Sequence, residues 1–169
     1  MTNSVLFRLP LVAMVSLLPM SAEAVDKVRA GWLERVRIEP EGFEIDSKLD
    51  TGADNSSIGA RDIVEFRRDG VAWVRFTVER AEDGVQVLER QVVKTIRVKR
   101  HGAQSIRRFV VNLDLCLARQ RHTAQVSLAD RSQFDLPMLI GRSFLAGRIL
   151  VDSAEKYIAT SDCAPEKAE

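Results

Sequence analysis

The sequence predicts an all-β protein, a barrel or sandwich of many short strands with one or two short helices. Three observations carry this. From Trp32 onward, apolar and polar residues alternate in short runs, the pattern of half-buried strands. Turn-forming clusters separate the runs: Glu39-Pro40-Glu41-Gly42, Arg68-Asp69-Gly70, Glu82-Asp83-Gly84 and His101-Gly102. Late in the chain only Arg142 to Leu145 reads convincingly as a helix. The composition agrees: 169 residues, 46% hydrophobic and 29% charged, suit one globular domain with a real core and argue against global disorder. A net charge of +1 gives no bulk attraction to nucleic acid or to a membrane surface.

The N-terminus reads as a targeting segment. Met1 to Arg8 is weakly basic, Leu9 to Met20 is apolar, and Ala22-Glu23-Ala24 puts small residues where a signal peptidase cuts. A secretory signal over residues 1–24 is expected, leaving 25–169 as a single domain in a bacterial periplasm with no membrane insertion after cleavage. The alternative, an N-terminal anchor, needs about 20 apolar residues to span the hydrocarbon core, and this run is shorter. Two cysteines remain, Cys116 and Cys163. In an oxidising compartment they can form one disulfide; otherwise Cys116 is a buried thiol and Cys163 a free one near a loose tail.

In order, Trp32 to Ile38 reads as a strand with Trp32, Val36 and Ile38 on one parity. Phe43 to Leu49 alternates, with Phe43, Ile45, Ser47 and Leu49 on one face. The two form a hairpin that delivers Asp50. Ser56 to Ile58 is extended. Ala60 to Phe66 is expected as a short helix that packs Ile63, Val64 and Phe66 inward. Val71 to Val78 is the clearest strand, and Glu82-Asp83-Gly84 a hairpin turn. Strands follow at Val85 to Leu88, Val92 to Lys99, Ser105 to Asn112, Thr123 to Leu128 and Leu136 to Ile140. After the helix, Ile149 to Asp152 and Tyr157 to Thr160 are expected as strands. Trp32, Trp73, Phe76 and Phe144 are expected in the core.

The stretch that carries chemistry is Leu49-Asp50-Thr51-Gly52-Ala53-Asp54-Asn55. A carboxylate at a strand end, followed by a hydroxyl residue and a glycine, is how an acid is held at the tip of a tight loop. A triplet of this kind is also common as an ordinary turn with a capping aspartate. Its weight comes from Leu139-Ile140-Gly141-Arg142 near the end of the chain. In aspartic proteases the strand that ends in the acidic loop runs beside one ending in two apolar residues and a glycine, and glycine is required where the backbones cross closely.

Asp-Thr-Gly-Ala-Asp followed by Ile-Gly-Arg and a short helix resembles the retroviral-type aspartic proteases. The chain also resembles a bacterial family, similar to them in fold, often labelled ATP-dependent zinc proteases. Gly31-Trp32-Leu33-Glu34, Asp50-Thr51-Gly52-Ala53, Trp73-Val74-Arg75-Phe76 and Leu139 to Leu145 carry that likeness. Asp54-Asn55-Ser56-Ser57-Ile58 departs from the bacterial pattern toward the retroviral one. The resemblance implies a closed acid-protease barrel, with Asp50, Thr51 and Gly52 catalytic and Ala53, Asp54 and Asn55 against the substrate. It implies support of the site by Ile140, Gly141 and Arg142, with Asp54 paired to Arg142. The hairpin around Asp83-Gly84 is the candidate flap.

No cofactor is expected. The two histidines, His101 and His122, stand apart, there is no His-Glu-x-x-His, and no glycine-rich phosphate loop is present, so neither zinc nor ATP finds support. Ser56, Ser57 and Ser143 lack a histidine partner for nucleophilic catalysis. One Asp-Thr-Gly supplies one carboxylate, so a catalytic pair requires a homodimer. Two functions follow: a periplasmic aspartic endopeptidase acting on peptide or protein substrates, or an inactive module of the same fold that binds a partner. Lys94, Arg97, Lys99, Arg100, Arg107 and Arg108 suit an acidic partner in the second case, or simply a solvated edge in either.

Overall fold

The computed structural model describes residues 27–82, 84–100 and 103–163. The expected signal segment, the tail beyond 163, the tip residue Asp83 and the turn at His101-Gly102 lie outside the described residues.

The chain forms strands β1 (Val28–Glu39), β2 (Phe43–Leu49), β3 (Ser56–Gly59), β4 (Arg61–Arg68), β5 (Val71–Glu79), β6 (Val85–Arg100), β7 (Ala103–Leu117), β8 (Gln120–Ala129) and β9 (Met138–Ile140). Helix α1 (Arg142–Leu145) and strand β10 (Ile149–Lys156) follow. Six strands close a ring in the order β1-β2-β9-β3-β8-β7, because β7 pairs back onto β1 at Arg37↔Cys116, Ile38↔Leu115 and Glu39↔Asp114. This is the closed retropepsin-like barrel the sequence implied. Its interior is the alternating set: Val36 and Ile38 of β1, Ile45 and Leu49 of β2, Ile58, Leu113, Leu115, Val126, Met138 and Ile140 are all buried. Each such side chain contributes about 1.5–3 kcal/mol of burial free energy. β10 lies parallel to β1 on one flank, and β6, β5 and β4 extend the sheet from β7 on the other. Val74, Phe76 and Val78 of β5 and Leu88 of β6 join the barrel's core cluster.

Gly31 permits the β1–β10 contact: a Cβ there would fall 2.5 Å from the Glu155 carbonyl oxygen. Beyond it the wall of the barrel is finished by a side chain. Glu34 is fully buried, and its carboxylate accepts backbone N–H bonds from Gly31 (2.6 Å), Ile158 (3.1 Å) and Ala159 (3.2 Å). The segment after β10 is thereby strapped along β1, with the Tyr157 N–H on the Leu33 carbonyl at 2.8 Å. A disulfide joins Cys116 of β7 to Cys163 at its end, with the Cα atoms 5.9 Å apart.

Several expectations are corrected. Residues 60–66 are not helical: β4 pairs antiparallel with β5, and as the outermost strand of the sheet it leaves Ile63 and Val64 exposed. Phe66 is half-buried beside Trp73, with Arg68 over both rings. Hydrogen bonding to the strong strand β5 overrides a weak helical spacing. β6 is one strand rather than two, because its polar middle finds partners outside the strand: Glu89 meets Arg68 of β4 at 2.7 Å and Arg90 meets Glu41 of the β1–β2 turn at 2.7 Å. Tyr157 to Thr160 is not a strand, since the Glu34 carboxylate takes bonds that a ladder would have made. Trp32 and Trp73 are only partly buried, each under a cationic side chain, whereas Phe76 and Phe144 are in the core. The hairpin joining β5 to β6, the candidate flap, is anchored away from Asp50: the Ala81 N–H bonds the Glu44 carbonyl at 2.8 Å, toward the opposite end of β2. Six residues of extended chain place these ends about 20 Å apart.

Candidate active site

β9 runs between β2 and β3, parallel to the first and antiparallel to the second. Leu49 sits opposite Ile140, and the last rung of the β2–β9 ladder is the Asp50 N–H on the Ile140 carbonyl at 2.9 Å. Asp50 and Gly141 therefore leave the barrel side by side. The chain turns at once, with the Ala53 N–H on the Asp50 carbonyl at 3.3 Å, and the Gly52 N–H donates to Asp50 Oδ1 at 2.9 Å. Returning toward β3, the chain passes against Gly141. A Cβ on Gly141 would lie 2.6 Å from the Asn55 carbonyl carbon and 3.0 Å from the Ala53 oxygen, so no other residue fits without moving backbone.

Arg142 binds the loop through three groups. Its backbone N–H donates to the Ala53 carbonyl at 2.8 Å. Nη1 donates to the carbonyls of Thr51 and Gly52 at 3.0 and 3.1 Å, and Nη2 to the Asp54 carboxylate. The planar fork of a guanidinium can reach several acceptors at once, which an ammonium cannot. The Ser143 N–H adds a bond to the Asp54 carbonyl at 3.0 Å. Thr51, Gly52, Asp54 and Asn55 are exposed and Ala53 half-buried, so the turn presents itself outward while its carbonyls are held from behind.

The structure also brings in further residues around the loop. Ser56, fully buried, accepts the Gly141 N–H on its Oγ at 3.1 Å, while the Ser127 hydroxyl donates to the Ser56 carbonyl at 3.3 Å. Arg131, between β8 and β9, donates to the Ser57 hydroxyl at 3.0 Å and to the Leu136 carbonyl at 3.0 Å, and stacks over Phe134. Burial and the nearby Arg108 charge lower its affinity for its proton, and the Asp50 charge opposes them. A cavity of about 310 Å³ opens beside it, lined among others by Ala60, Thr77, Phe134 and Pro137. Lys48 places its Nζ 3.8 Å from Asp50 Oδ2. Alternation could have revealed Lys48, since residues i and i+2 of a strand share a face; Ser56 carries no such signal. Among the described residues, no three His, Cys, Asp or Glu side chains converge as a metal site would require.

A closed all-β barrel, an acidic loop at a strand end and an apolar-apolar-Gly strand crossing beneath it define a retropepsin-like protein. The chain matches the family model described as RimB-like, retropepsin-like aspartic endopeptidase RimB, over residues 29–162, and it belongs to that family. A solved structure of a Legionella pneumophila protein of unknown function superposes with a TM-score of 0.67 at 30% identity, covering 79% of this chain and 98% of that one. Curated relatives carry another name. A probable alpha-L-glutamate ligase of Shewanella pealeana is 28% identical over 74% of this chain and 27% of its own length. One of Parasynechococcus marenigrum is 31% identical over 64% of this chain and 24% of its own. The chain thus spans about a quarter of the length of these relatives.

Proposed function

We propose that the protein is a periplasmic aspartic endopeptidase that works as a homodimer, with Asp50 from each copy forming the catalytic pair. The observation that supports this best is the braced loop: Asp50 is fixed by the Gly52 N–H at 2.9 Å, and the loop is held by Arg142 over a glycine crossing. Two carboxylates about 3 Å apart share one proton, because like charges at that distance do not both ionise readily. The ionised member takes a proton from water as it attacks the peptide carbonyl. The protonated member gives its proton to the carbonyl oxygen, forming a neutral gem-diol. Collapse returns a proton to the leaving amine. No covalent intermediate, metal or nucleotide enters. The ligase activity in the relatives' names belongs to proteins of which the matched part is about a quarter, and is not carried over to this chain.

The long β6–β7 hairpin is the better candidate for a cover over the cleft. Arg108 on β7 acts electrostatically on Arg131, which in turn interacts with the Asp50 charge.

The test is cleavage of a peptide library between about pH 4 and 8 together with sedimentation of the same protein. The expected result is a dimer with acid-leaning activity, and a loss of roughly 10²–10⁴-fold in Asp50→Asn. A protein that stays monomeric at high concentration and cleaves nothing in that range is instead a binding module of the cell envelope.

A further inference from the structure

We propose that Lys48 governs the pH range over which two copies of the chain can bring their Asp50 carboxylates together. This rests on the homodimeric reading above. The two oxygens of Asp50 face different groups. Oδ1 accepts the Gly52 N–H at 2.9 Å, and Oδ2 lies 3.8 Å from Lys48 Nζ. Both side chains leave β2 and its continuation on one face, so the ammonium is held beside the carboxylate by strand geometry alone. A dimer would place a second carboxylate against the first. With both ionised, their repulsion opposes association; with one proton shared, it largely vanishes. One Lys48 per copy puts two cations beside that pair and offsets the repulsion where both acids have lost their protons.

The other charges around Asp50 are already engaged. Arg142 of α1 binds Asp54 and the carbonyls of Thr51 and Gly52. Arg131 of the β8–β9 loop binds Ser57 and Leu136, with Arg108 of β7 near it. Asp46, earlier on β2, faces Arg35 of β1 at 3.7 Å. Among the described residues Lys48 is the cation in ionic contact with the carboxylate, and at 48% side-chain exposure it can be changed without disturbing the core.

The experiment measures the dimer dissociation constant by sedimentation equilibrium at about pH 4.5 and about pH 7 for wild type, Lys48→Gln and Lys48→Arg. Half-exposed ion pairs are individually weak, so the effect expected from two is modest: roughly tenfold weaker association of Lys48→Gln at the higher pH. Near pH 4.5 the three proteins should agree within about twofold, since the shared proton leaves little repulsion to offset. Lys48→Arg should follow wild type at both values, and the difference should shrink in about 1 M salt. If Lys48→Gln tracks wild type at both pH values, the role of Lys48 is overturned while the homodimer stands. If wild type is monomeric throughout, both fall together.

Discussion

At the scale of single residues, the site depends on an absence of atoms. Gly141 has a negative φ of −93°, which any residue can adopt, so its need for glycine is spatial rather than conformational. The atoms a Cβ would meet are main-chain atoms of Asn55 and Ala53, held in turn by Arg142 and Ser143. They cannot swing aside as a flexible side chain would. Gly141→Ala should therefore lower stability by roughly 2–3 kcal/mol, the upper range for overpacking, in urea denaturation. An unchanged midpoint would mean that the crossing is looser than drawn. Gly141 and Arg142 were legible in the sequence because their neighbours form a contiguous pattern. Lys48 was within reach of the same kind of reading, two residues before Asp50 on one strand, whereas Ser56 was not, since it acts on Gly141, distant in the chain and adjacent only after folding.

Among the elements, alternation was read correctly where one face is buried and the other wet. β2 and β5 are examples, and their inward sets match the core. It failed where both faces are partly exposed, as in β4, and where polar residues in mid-strand pair with neighbours, as in β6. The turn between β7 and β8 escaped notice because Ala118 and Arg119 adopt positive φ values of 52° and 62° without a glycine. A consequence can be measured at that β8 hairpin. His122 sits edge-on to Phe144 of α1, and burial, then the Arg148 charge, push its proton affinity below the ordinary histidine value of 6.5. The folded state thus disfavours the imidazolium. Its contribution is fully present above about pH 6.5, where unfolded histidine is neutral too, and is lost progressively as pH falls below that value. Stability followed by thermal unfolding between about pH 7 and 5 should fall with acid in wild type. In His122→Gln that fall should be shallower, by less than one proton's worth of slope. Parallel curves would show that the imidazole is ionised as easily folded as unfolded.

For the whole molecule, the barrel closes at a narrow seam. β1 and β7 share only three residue pairs, and the adjoining length of β1 is covered by the strap that Glu34 holds. The disulfide ties the end of that strap to Cys116, a residue of the seam itself. It closes a loop of 47 residues in the unfolded chain, which by loop entropy corresponds to about 4 kcal/mol. The Asp50 loop hangs from the ends of β2, β9 and β3, and β2 meets the seam residues Arg37 and Ile38 only at its other end, through Glu44 and Phe43. Replacing both cysteines by serine should cost up to about 4 kcal/mol in denaturant unfolding. Amide exchange should rise first at residues 33–39 and 157–162, while Leu49, Asp50 and Ile58 keep their protection. Early loss of protection around Asp50 would contradict this, and would make the seam and the site one cooperative unit instead of two.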